Sequence, residues 1–389
     1  MYLQTRVGIA GTGFIASGLI RALHLQKDIT VTSVLTRRNL NDFHSFPYQD
    51  KLTNEIDRLV ASSDLIVECS GDPIYATEVV LRAFAAGLPV VTMNAELHVT
   101  SGSYLSERGF ITEAEGDQPG CIAALREDIM QMGFKPLVYG NIKGFINLNP
   151  EREDMIYWSK RNNLSLSKVT SFTDGTKVQI EQAFISNGLG ADIYQDGLLG
   201  PAAEDIKTGG EYLAEKAKQH GAAISDYVLC PKGPAGVFIT AEHEEDQQGA
   251  LEYLKLGPGP FYTLVQNYHL CHLEIVKTIR RVMNGGGVLL NNSSLPSVSV
   301  GSIAKRAISK GEKIQSANGS FDVRGEAVRI KDHEGHLPVG LFENAVLLNN
   351  IEEGQLITMK DVDIEETTAL NAWLETEKKV LNQYKAASK

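Results

Sequence analysis

Short apolar runs alternate with helix-like stretches over the first third of the chain. The strand-like runs are residues 7–10, 31–36, 64–69, 88–94 and 137–141. Residues 74–86 and 119–132 have the composition and spacing of helices. Because this alternation is typical of a doubly wound parallel sheet, we predict an α/β domain over residues 1–145.

From residue 146 the pattern becomes a mixture of helix-like and strand-like segments. Strand-like runs are residues 166–173 and 235–240, residues 261–268 form an aromatic segment, and helix-like stretches are residues 176–187, 211–220 and 269–283. Residues 147–163 are polar and predicted to be irregular, and the glycines at 285–287 end the last helix. We predict a mixed α+β substrate domain over residues 146–288.

The last quarter of the chain contains two related segments, residues 298–314 and 347–357. Each has a strand, a polar turn and then Gly-Glu or Gly-Gln with an apolar pair. This repeat predicts a small, pseudo-symmetric β domain over residues 297–366. Its apolar segments 339–342 and 345–348 are predicted to be strands and should be buried against another domain or a second subunit. The tail, residues 367–389, is predicted to be an amphipathic helix with an apolar stripe of Leu370, Trp373, Leu374 and Leu381.

Composition and charge narrow the class of protein. The 389 residues carry a net charge of −11 with 43% hydrophobic and 22% charged residues, as in a globular protein of two or three domains. The negative charge argues against nucleic-acid or anionic-membrane partners, and no apolar run approaches the ~20 residues that span a bilayer. The four cysteines lie far apart, so we expect a cytoplasmic protein without disulfides.

The first apolar run leads directly into a glycine turn. Gly11, Gly13 and Ala16 form the pattern Gly-x-Gly-x-x-Ala, with Phe14 and Ile15 at the start of the next helix. The first glycine permits the turn, and the second lets the backbone approach a pyrophosphate at the helix N-terminus. We predict a dinucleotide site here; the alternative is a turn with a structural role only.

The residues after the second strand bear on the choice of cofactor. Arg37 and Arg38 follow this strand, and the first acidic residue comes later, at Asp42. An acidic residue at this point binds the ribose of NAD, whereas arginine accommodates the 2′-phosphate of NADP. We therefore expect NADP rather than NAD; the alternative is a solvated turn.

Polar residues also follow two later strands of the predicted sheet. Ser70 and Gly71 end one strand, and Asn94 and Glu96 follow the next. Since ligands of such sheets bind beyond the carboxyl ends of the strands, these residues are expected to meet the nicotinamide half of the cofactor.

Several motifs together resemble the homoserine-dehydrogenase-like NAD(P)-dependent oxidoreductases with a C-terminal SAF domain. They are Gly11-x-Gly13-x-x-Ala16, Glu68-Cys69-Ser70-Gly71-Asp72-Pro73, Thr92-Met93-Asn94-Ala95-Glu96, Asp174-Gly175-Thr176-Lys177, Lys232-Gly233-Pro234, Gly257-Pro258-Gly259-Pro260-Phe261-Tyr262, Tyr268-His269-Leu270-Cys271, Lys305-Arg306 with Gly311-Glu312, and Leu337-Pro338-Val339-Gly340-Leu341. The resemblance implies a Rossmann-type α/β domain, a substrate domain and a SAF domain, in a homodimer or homotetramer that acts on a small-molecule substrate.

The same resemblance implies an activity. We expect NADPH-dependent reduction of a carbonyl group in a small, phosphorylated sugar or ketose. Alternatives are a reductoisomerase of the 1-deoxy-D-xylulose 5-phosphate type, a homoserine-type dehydrogenase, and a cofactor-bound sensor or scaffold without turnover. Homoserine dehydrogenases have a lysine immediately after the asparagine of the third motif, where this chain has Ala95 and then Glu96.

Lys177 is the predicted catalytic residue. Hydride transfer to a carbonyl leaves an alkoxide that needs a proton donor or a cation. Lys177 lies in the first turn of a predicted helix, where the helix dipole should lower its pKa. Asp174 could cap this helix or pair with the ammonium group, and Glu181 lies one turn further on the same face. The alternative is an exposed Lys177–Glu181 ion pair with no catalytic role.

Further residues are candidates for substrate binding. They are Thr176, Asn187, Lys232, Tyr268 and His269. His269, Cys271 and His272 do not have an established zinc spacing, so no metal site is predicted. A divalent ion, held by oxygen ligands such as Asp174 and Glu181, would be needed only by a reductoisomerase.

Overall fold

The computed structural model describes residues 4–43 and 46–387. Residues 1–3 and 44–45, in the predicted first domain, and residues 388–389 of the predicted tail helix lie outside the described residues. Among the described residues, no helix is long and apolar enough to cross a bilayer.

The N-terminal part forms a parallel sheet flanked by helices, as predicted. The strand order is β3-β2-β1-β4-β5-β6. The strands are β1 (Thr5–Ala10), β2 (Ile29–Leu35), β3 (Leu52–Thr53), β4 (Leu65–Glu68), β5 (Val90–Thr92) and β6 (Ile111–Glu113). The helices are α1 (Phe14–His24), α2 (Ile56–Ala61), α3 (Pro73–Ala85), α4 (Ala95–Leu97) and α5 (Ser103–Ser106), with a π-helical turn His98–Gly102 between the last two. The predicted α/β fold is confirmed.

The central part builds a second sheet with strand order β10-β9-β7-β8. Its strands are β7 (Lys135–Lys143), β8 (Ile224–Leu229), β9 (Val237–Glu242) and β10 (Tyr262–Gln266). Its helices are α6 (Gln118–Gln131), α7 (Arg152–Asn162), α8 (Leu166–Thr173), α9 (Thr176–Leu189), α10 (Ile206–His220), α11 (Gln248–Tyr253) and α12 (Ile275–Met283). Helix α9, the predicted catalytic helix, packs against α6, β8 and the C-terminal strands, so it lies at the centre of the molecule.

Two segments of the central part pair differently from the prediction. Residues 137–141 belong to β7, which pairs with β8 and β9 rather than with the first sheet. Helix α12 was predicted as part of the substrate domain, yet its Ile275 and Ile279 are buried in the core of the first sheet. Strand and helix periodicity are local properties, and they do not specify which sheet an element joins.

In the central part of the chain, three predicted secondary structures are wrong. Residues 166–173 form helix α8 instead of a strand, because Ser165 caps it and Val169 is buried, which overrides the β-branched composition. The polar residues 147–163 include helix α7. The helix predicted over 269–283 is a 3-10 turn, Cys271–Leu273, followed by α12.

The C-terminal part contains two small sheets with strand orders β13-β11-β15 and β12-β14-β16. Their strands are β11 (Val298–Ala304), β12 (Lys313–Ser316), β13 (Val323–Arg329), β14 (Glu343–Leu347), β15 (Leu356–Ile357) and β16 (Val362–Asp363). The repeat seen in the sequence is present in space, since Ile308 and Ile351 exchange both backbone hydrogen bonds at 2.9 Å. In each copy the side chain after the glycine accepts a hydrogen bond from the backbone N–H three residues earlier. Glu312 accepts from Ser309, and Gln355 accepts from Glu352.

The C-terminal β unit is packed tightly on the first sheet. Residues 339–342 were predicted as a strand but form the 3-10 turn Val339–Leu341, which lies against the π-helical turn. A Cβ at Gly340 would lie 2.2 Å from Thr100 Oγ1, so only glycine permits this approach. The tail helix α13 (Thr368–Ala387) packs on α3 with Trp373 and Leu381 buried, whereas Leu374 of the predicted stripe is exposed.

Candidate active site

The glycine turn fits a dinucleotide pyrophosphate. Gly11 has a φ of +124°, and a Cβ there would lie 2.8 Å from the carbonyl oxygen of Cys69. A Cβ at Gly13 would enter open space, and within the described residues no side chain caps α1. The first N–H groups of α1 are therefore available to an anion that approaches Gly13. Phe14 is exposed with its ring edge-on to His272, and Ile15 packs against the core of the sheet.

The two arginines after β2 have different surroundings. The guanidinium group of Arg37 lies 2.5 Å from Asp72 and over the ring of Tyr75. Asp72 also caps α3 by accepting two N–H groups at 3.0 Å. Arg38 is exposed, and its side chain makes no ion pair within the part of the chain that the structure describes.

The residues at the ends of β4 and β5 are largely engaged with the protein itself. Ser70 donates its N–H and its hydroxyl to Glu68 at 2.7 and 2.5 Å. Burial raises the pKa of Glu68 above its usual value. Asn94 accepts the N–H of Leu97 at 3.1 Å and so caps α4, and Gly71 turns the chain with a positive φ.

Lys177 lies between two carboxylates at the start of α9. Its Nζ is 3.2 Å from Asp117 Oδ2 and 3.3 Å from Glu181 Oε1. Asp117 immediately precedes α6, and 28% of the Lys177 side chain remains exposed. Burial by itself lowers the pKa of Lys177, but the charges of Asp117 and Glu181 raise it above its ordinary value. The expected depression of this pKa is wrong, because the helix dipole is outweighed by two adjacent carboxylates.

Glu181 is the buried centre of this group. Its side chain is fully buried, and its Oε2 accepts hydrogen bonds from Asn141 at 2.8 Å and Lys143 at 3.0 Å. Lys143, at the end of β7, also donates to Gln118. The Lys177–Glu181 pair is therefore part of a buried network and differs from the exposed i,i+4 pair that the sequence left open as an alternative.

Glu96 forms another wall of the site. Asn318 of the C-terminal β unit donates its amide N–H to Glu96 Oε2 at 2.5 Å. Burial raises the pKa of Glu96 to about 7, while the Asn318 hydrogen bond and the charge of Lys177 act in the opposite direction. A carboxyl group with this pKa is half protonated near neutrality, as proton transfer requires.

His98 and Glu113 lie together in the protein interior beneath these residues. The ring of His98 stacks on Phe184 at 4.1 Å, and its Nε2 is 3.3 Å from Glu113. Burial lowers the pKa of His98 to about 3 and raises that of Glu113 well above its usual value. His98 is therefore neutral at pH 7, and the raised pKa of Glu113 favours the protonated form of its carboxyl group.

Asp174 does not pair with Lys177 as the sequence suggested. Its Oδ1 accepts the N–H of Thr176, while its Oδ2 lies 2.5 Å from Lys305 of the C-terminal β unit. Both side chains of this ion pair are almost completely buried. The hydroxyl of Thr176 likewise accepts the N–H of Gly325, so residues 174 and 176 both join helix α9 to that unit.

Asn187 lies at the far end of α9, about 15 Å along the helix from Lys177. Its Oδ1 accepts the N–H groups of Ser297 and Val298, and its amide group donates to Asn292. These contacts hold the connection between α12 and β11.

The other candidate residues lie in loops. Lys232 is exposed in the turn after β8, which is adjacent to Lys143 because Cys230 donates its N–H to the carbonyl of residue 143. Tyr268 is half exposed, and His269 Nδ1 lies 3.8 Å from the thiol of Cys271. Among the described residues, no cluster of His, Cys, Asp and Glu is arranged to hold a metal. Asp174 pairs with Lys305, whereas Glu181 pairs with Lys143.

Sequence reasoning missed four polar residues of this network. They are Asp117, Gln118, Asn141 and Lys143. Asp117 precedes Pro119 at a predicted helix start, which is a recognisable N-terminal signal. Lys143 and Asn141 carry no such signal, because their role depends on the pairing of β7 with the second sheet.

Comparison with known protein families gives two matches, which follow each other along the chain. Residues 11–107 match the NAD-binding domain of homoserine dehydrogenase, and residues 116–275 match the catalytic domain of oxidoreductase DRL. The second match contains Asp117, Lys143, Lys177 and Glu181. No curated protein matches the chain significantly.

Comparison with solved structures gives matches of low sequence identity. A hyperthermophilic archaeal homoserine dehydrogenase in complex with NADPH is 12% identical, with a TM-score of 0.45, over 74% of this chain and 100% of that one. UDP-N-acetylglucosamine 3-dehydrogenase from Acidithiobacillus ferrooxidans is 11% identical, with a TM-score of 0.43, over 75% and 92%. Myo-inositol dehydrogenase from Corynebacterium glutamicum is 10% identical, with a TM-score of 0.43, over 73% and 90%.

The glycine turn on a parallel sheet and the two family matches indicate the same class of protein. The chain combines a segment similar to the NAD-binding domain of homoserine dehydrogenase with a segment similar to the catalytic domain of oxidoreductase DRL, and it is an NAD(P)-dependent oxidoreductase.

Proposed function

We propose that this oxidoreductase uses NADPH to reduce a carbonyl group of a small, phosphorylated sugar or ketose. The observation that carries the proposal is the position of Lys177, held between Asp117 and Glu181 at a helix start. An ammonium group held in this way is a preorganised donor for an oxygen that gains negative charge.

The proposed chemistry divides two tasks between Lys177 and Glu96. The nicotinamide supplies the hydride when bound. Lys177 donates a hydrogen bond to the substrate oxygen, and its raised pKa keeps it charged as the alkoxide develops. Glu96, with a pKa of about 7, supplies the proton that converts the alkoxide to the alcohol. In alcohol oxidation the same carboxyl group receives the proton.

Lysines at the ends of β7 and β8 support an anionic substrate. These strands are parallel, so Lys143 and the turn that carries Lys232 lie at the same edge of the second sheet. Within the described residues Lys232 makes no ion pair and is exposed. We propose that it binds the phosphate group of the substrate, as a compact cation does.

The preference for NADPH rests on the arginines after β2. Arg38 is exposed beyond the carboxyl end of that strand, where the 2′-phosphate of NADP binds in folds of this type. Arg37 is already paired with Asp72, so we assign the larger contribution to Arg38.

The test is an assay of sugar phosphates and their unphosphorylated counterparts, followed by loss of NADPH absorbance. We expect turnover with at least one phosphorylated ketose or aldose and a raised KM for it in Lys232→Ala. The unphosphorylated counterpart should show the same KM in both proteins. Turnover confined to unphosphorylated compounds or to hydroxy-amino-acid precursors would refute the substrate class. Analysis of the product's carbon skeleton separates simple reduction from reductive isomerisation.

A further inference from the structure

Asn318 links the C-terminal β unit to the wall of the candidate active site. Its amide group donates to Glu96 Oε2 at 2.5 Å, across 222 positions of sequence. Its carbonyl oxygen is buried and has no hydrogen-bond partner among the described residues. An asparagine placed for packing alone would have both polar atoms satisfied, since buried polar groups are nearly always paired.

The turn that carries Asn318 is anchored on both sides. Ala317 is fully buried and donates its N–H to Phe342 at 3.0 Å. Gly319 has a φ of +72°, and a Cβ there would lie 2.0 Å from the carbonyl oxygen of Ser167. The carbonyl of Ser320 accepts a hydrogen bond from Lys305 at 2.6 Å. These contacts hold the turn close to helix α8 and give the Asn318 side chain a defined position.

Lys305 also connects this turn to the catalytic helix. Its ammonium group pairs with Asp174, which directly precedes α9. The same lysine thus contacts the Asn318 turn and the segment that begins the helix of Lys177. The relative positions of Glu96 and Lys177 therefore depend on the docking of the C-terminal β unit.

We propose that Asn318 is a positioning residue that orients the Glu96 carboxyl group for proton transfer, which makes the C-terminal β unit part of the active site. This inference rests on the proposed role of Glu96. The charged groups that act on Glu96 from neighbouring elements are Lys177 of α9, Asp72 before α3 and Glu343 of β14. Asn318 acts on Glu96 by donating a hydrogen bond. A hydrogen bond donated to a carboxylate favours the ionised form of the carboxyl group.

The experiment measures the titration of Glu96 directly. Protein labelled with ¹³C at glutamate Cδ is titrated by NMR, and the Glu96 signal is assigned by its loss in Glu96→Gln. We expect a midpoint near pH 7 in the unmodified protein and a midpoint higher by about 1–2 pH units in Asn318→Ala. Asn318→Asp, which has nearly the same shape, should raise it further because two adjacent carboxyl groups share a proton.

Asn349→Ala is the matched control. Asn349 is an exposed asparagine of the same β unit, and its amide group bonds Lys360 and Asp361. We expect no change in the Glu96 titration of this variant. An unchanged midpoint in both Asn318 variants would overturn the inference, whatever their turnover.

Turnover distinguishes this inference from the role of Glu96 on which it rests. With the best substrate of the sugar phosphate assay, the pH at which turnover falls should move upward in Asn318→Ala together with the NMR midpoint. A shifted NMR midpoint with an unshifted rate profile, and full activity of Glu96→Gln, would refute the proposed proton transfer instead.

Discussion

At the scale of single residues, the site is defined by how a few charges are paired. Lys177 is placed between Asp117 and Glu181, and Glu181 in turn accepts from Lys143 and Asn141. Each charge therefore has an opposite charge or a donor within hydrogen-bond distance. The arrangement leaves part of the Lys177 side chain exposed while two carboxylates lie beside its ammonium group.

Replacement of Lys177 by alanine should abolish most of the turnover without unfolding the protein. We expect kcat to fall by about 10²–10³-fold, the range for loss of one preorganised donor to an oxygen that gains negative charge, with cofactor affinity nearly unchanged. Lys207→Ala is the control, because Lys207 also begins a helix and pairs with a glutamate four residues later, at the surface. Equal activity of the two variants would show that Lys177 has no catalytic role.

The pKa of Glu96 predicts the pH dependence of the reaction. Burial raises this pKa from 4.5 to about 7, so the carboxyl group is protonated below pH 7 and ionised above it. Carbonyl reduction consumes a proton, and its rate should therefore fall above about pH 7, whereas alcohol oxidation should rise over the same interval. Rate profiles in both directions check this. Glu96→Gln should lose about 10²-fold in rate and lack this transition; a retained transition would assign it to another group.

Arg38 should determine the preference between the two cofactors. Arg38→Ala is expected to weaken NADPH binding by about 10–100-fold, since a hydrogen bond to a charged group contributes roughly 1.5–3 kcal/mol. NADH lacks the 2′-phosphate, so its affinity should stay the same and is the internal control. Titration of nicotinamide fluorescence measures both. Equal weakening of NADPH and NADH binding would argue against a phosphate contact.

At the scale of elements, helix α9 contacts the N-terminal, central and C-terminal parts of the chain. Its N-terminal end contacts the C-terminal β unit through Asp174 and Thr176, and its far end holds the connection to β11 through Asn187. Its apolar face contributes Phe184 and Ile180 to the largest core. The orientation of Lys177 is thus fixed by contacts along the whole helix.

The buried pair of Asp174 and Lys305 should matter for stability more than its exposed neighbour. Lys305→Ala leaves the Asp174 carboxylate buried without a cation, and loss of one partner of such a pair costs about 3–5 kcal/mol. Arg306→Ala removes adjacent ion pairs with Glu312 and Asp322 at the surface and should cost at most about 1 kcal/mol. Urea unfolding measures both free energies. Similar losses would mean that water reaches the Asp174–Lys305 pair.

At the scale of the whole molecule, the largest hydrophobic core is shared by every part of the chain. Its buried members include Ala95 of α4, Phe184 of α9, Val300 of β11 and Trp373 of α13. The C-terminal β unit is therefore built into the core, and its apolar segments are buried as the sequence predicted, except for Val346, which is half-buried, and Leu348, which is exposed.

A protein that ends at Gly287 should not keep full activity. The truncation removes β11 to α13 and exposes the apolar surface of α9 and α3 that they cover. We expect aggregation, or NADPH binding with poor turnover because Asn318 is lost. Size-exclusion chromatography and the reductase assay test this, and a soluble, fully active product would show that the C-terminal β unit contributes neither stability nor a part of the site.

The sequence by itself determined the features that depend only on residues close together along the chain. The glycine turn at Gly11 and Gly13, helix α9 with Lys177 in its first turn, and the repeat around Ile308 and Ile351 all follow from local spacing and backbone freedom. A pattern of period 2 or 3.6 and a positive φ are properties of a few consecutive residues, so they can be read without the fold.

The tertiary structure alone decided which distant residues share the site. The sequence placed β7 in the wrong sheet, and so it missed Lys143. It offered Asp174 as a helix cap or as the partner of Lys177, and gave no sign of the ion pair with Lys305. It also gave no sign that Asn318 reaches Glu96. Contacts between residues hundreds of positions apart depend on how whole elements pack, and so do the pKa values that those contacts set, because burial and neighbouring charge exist only in the folded chain.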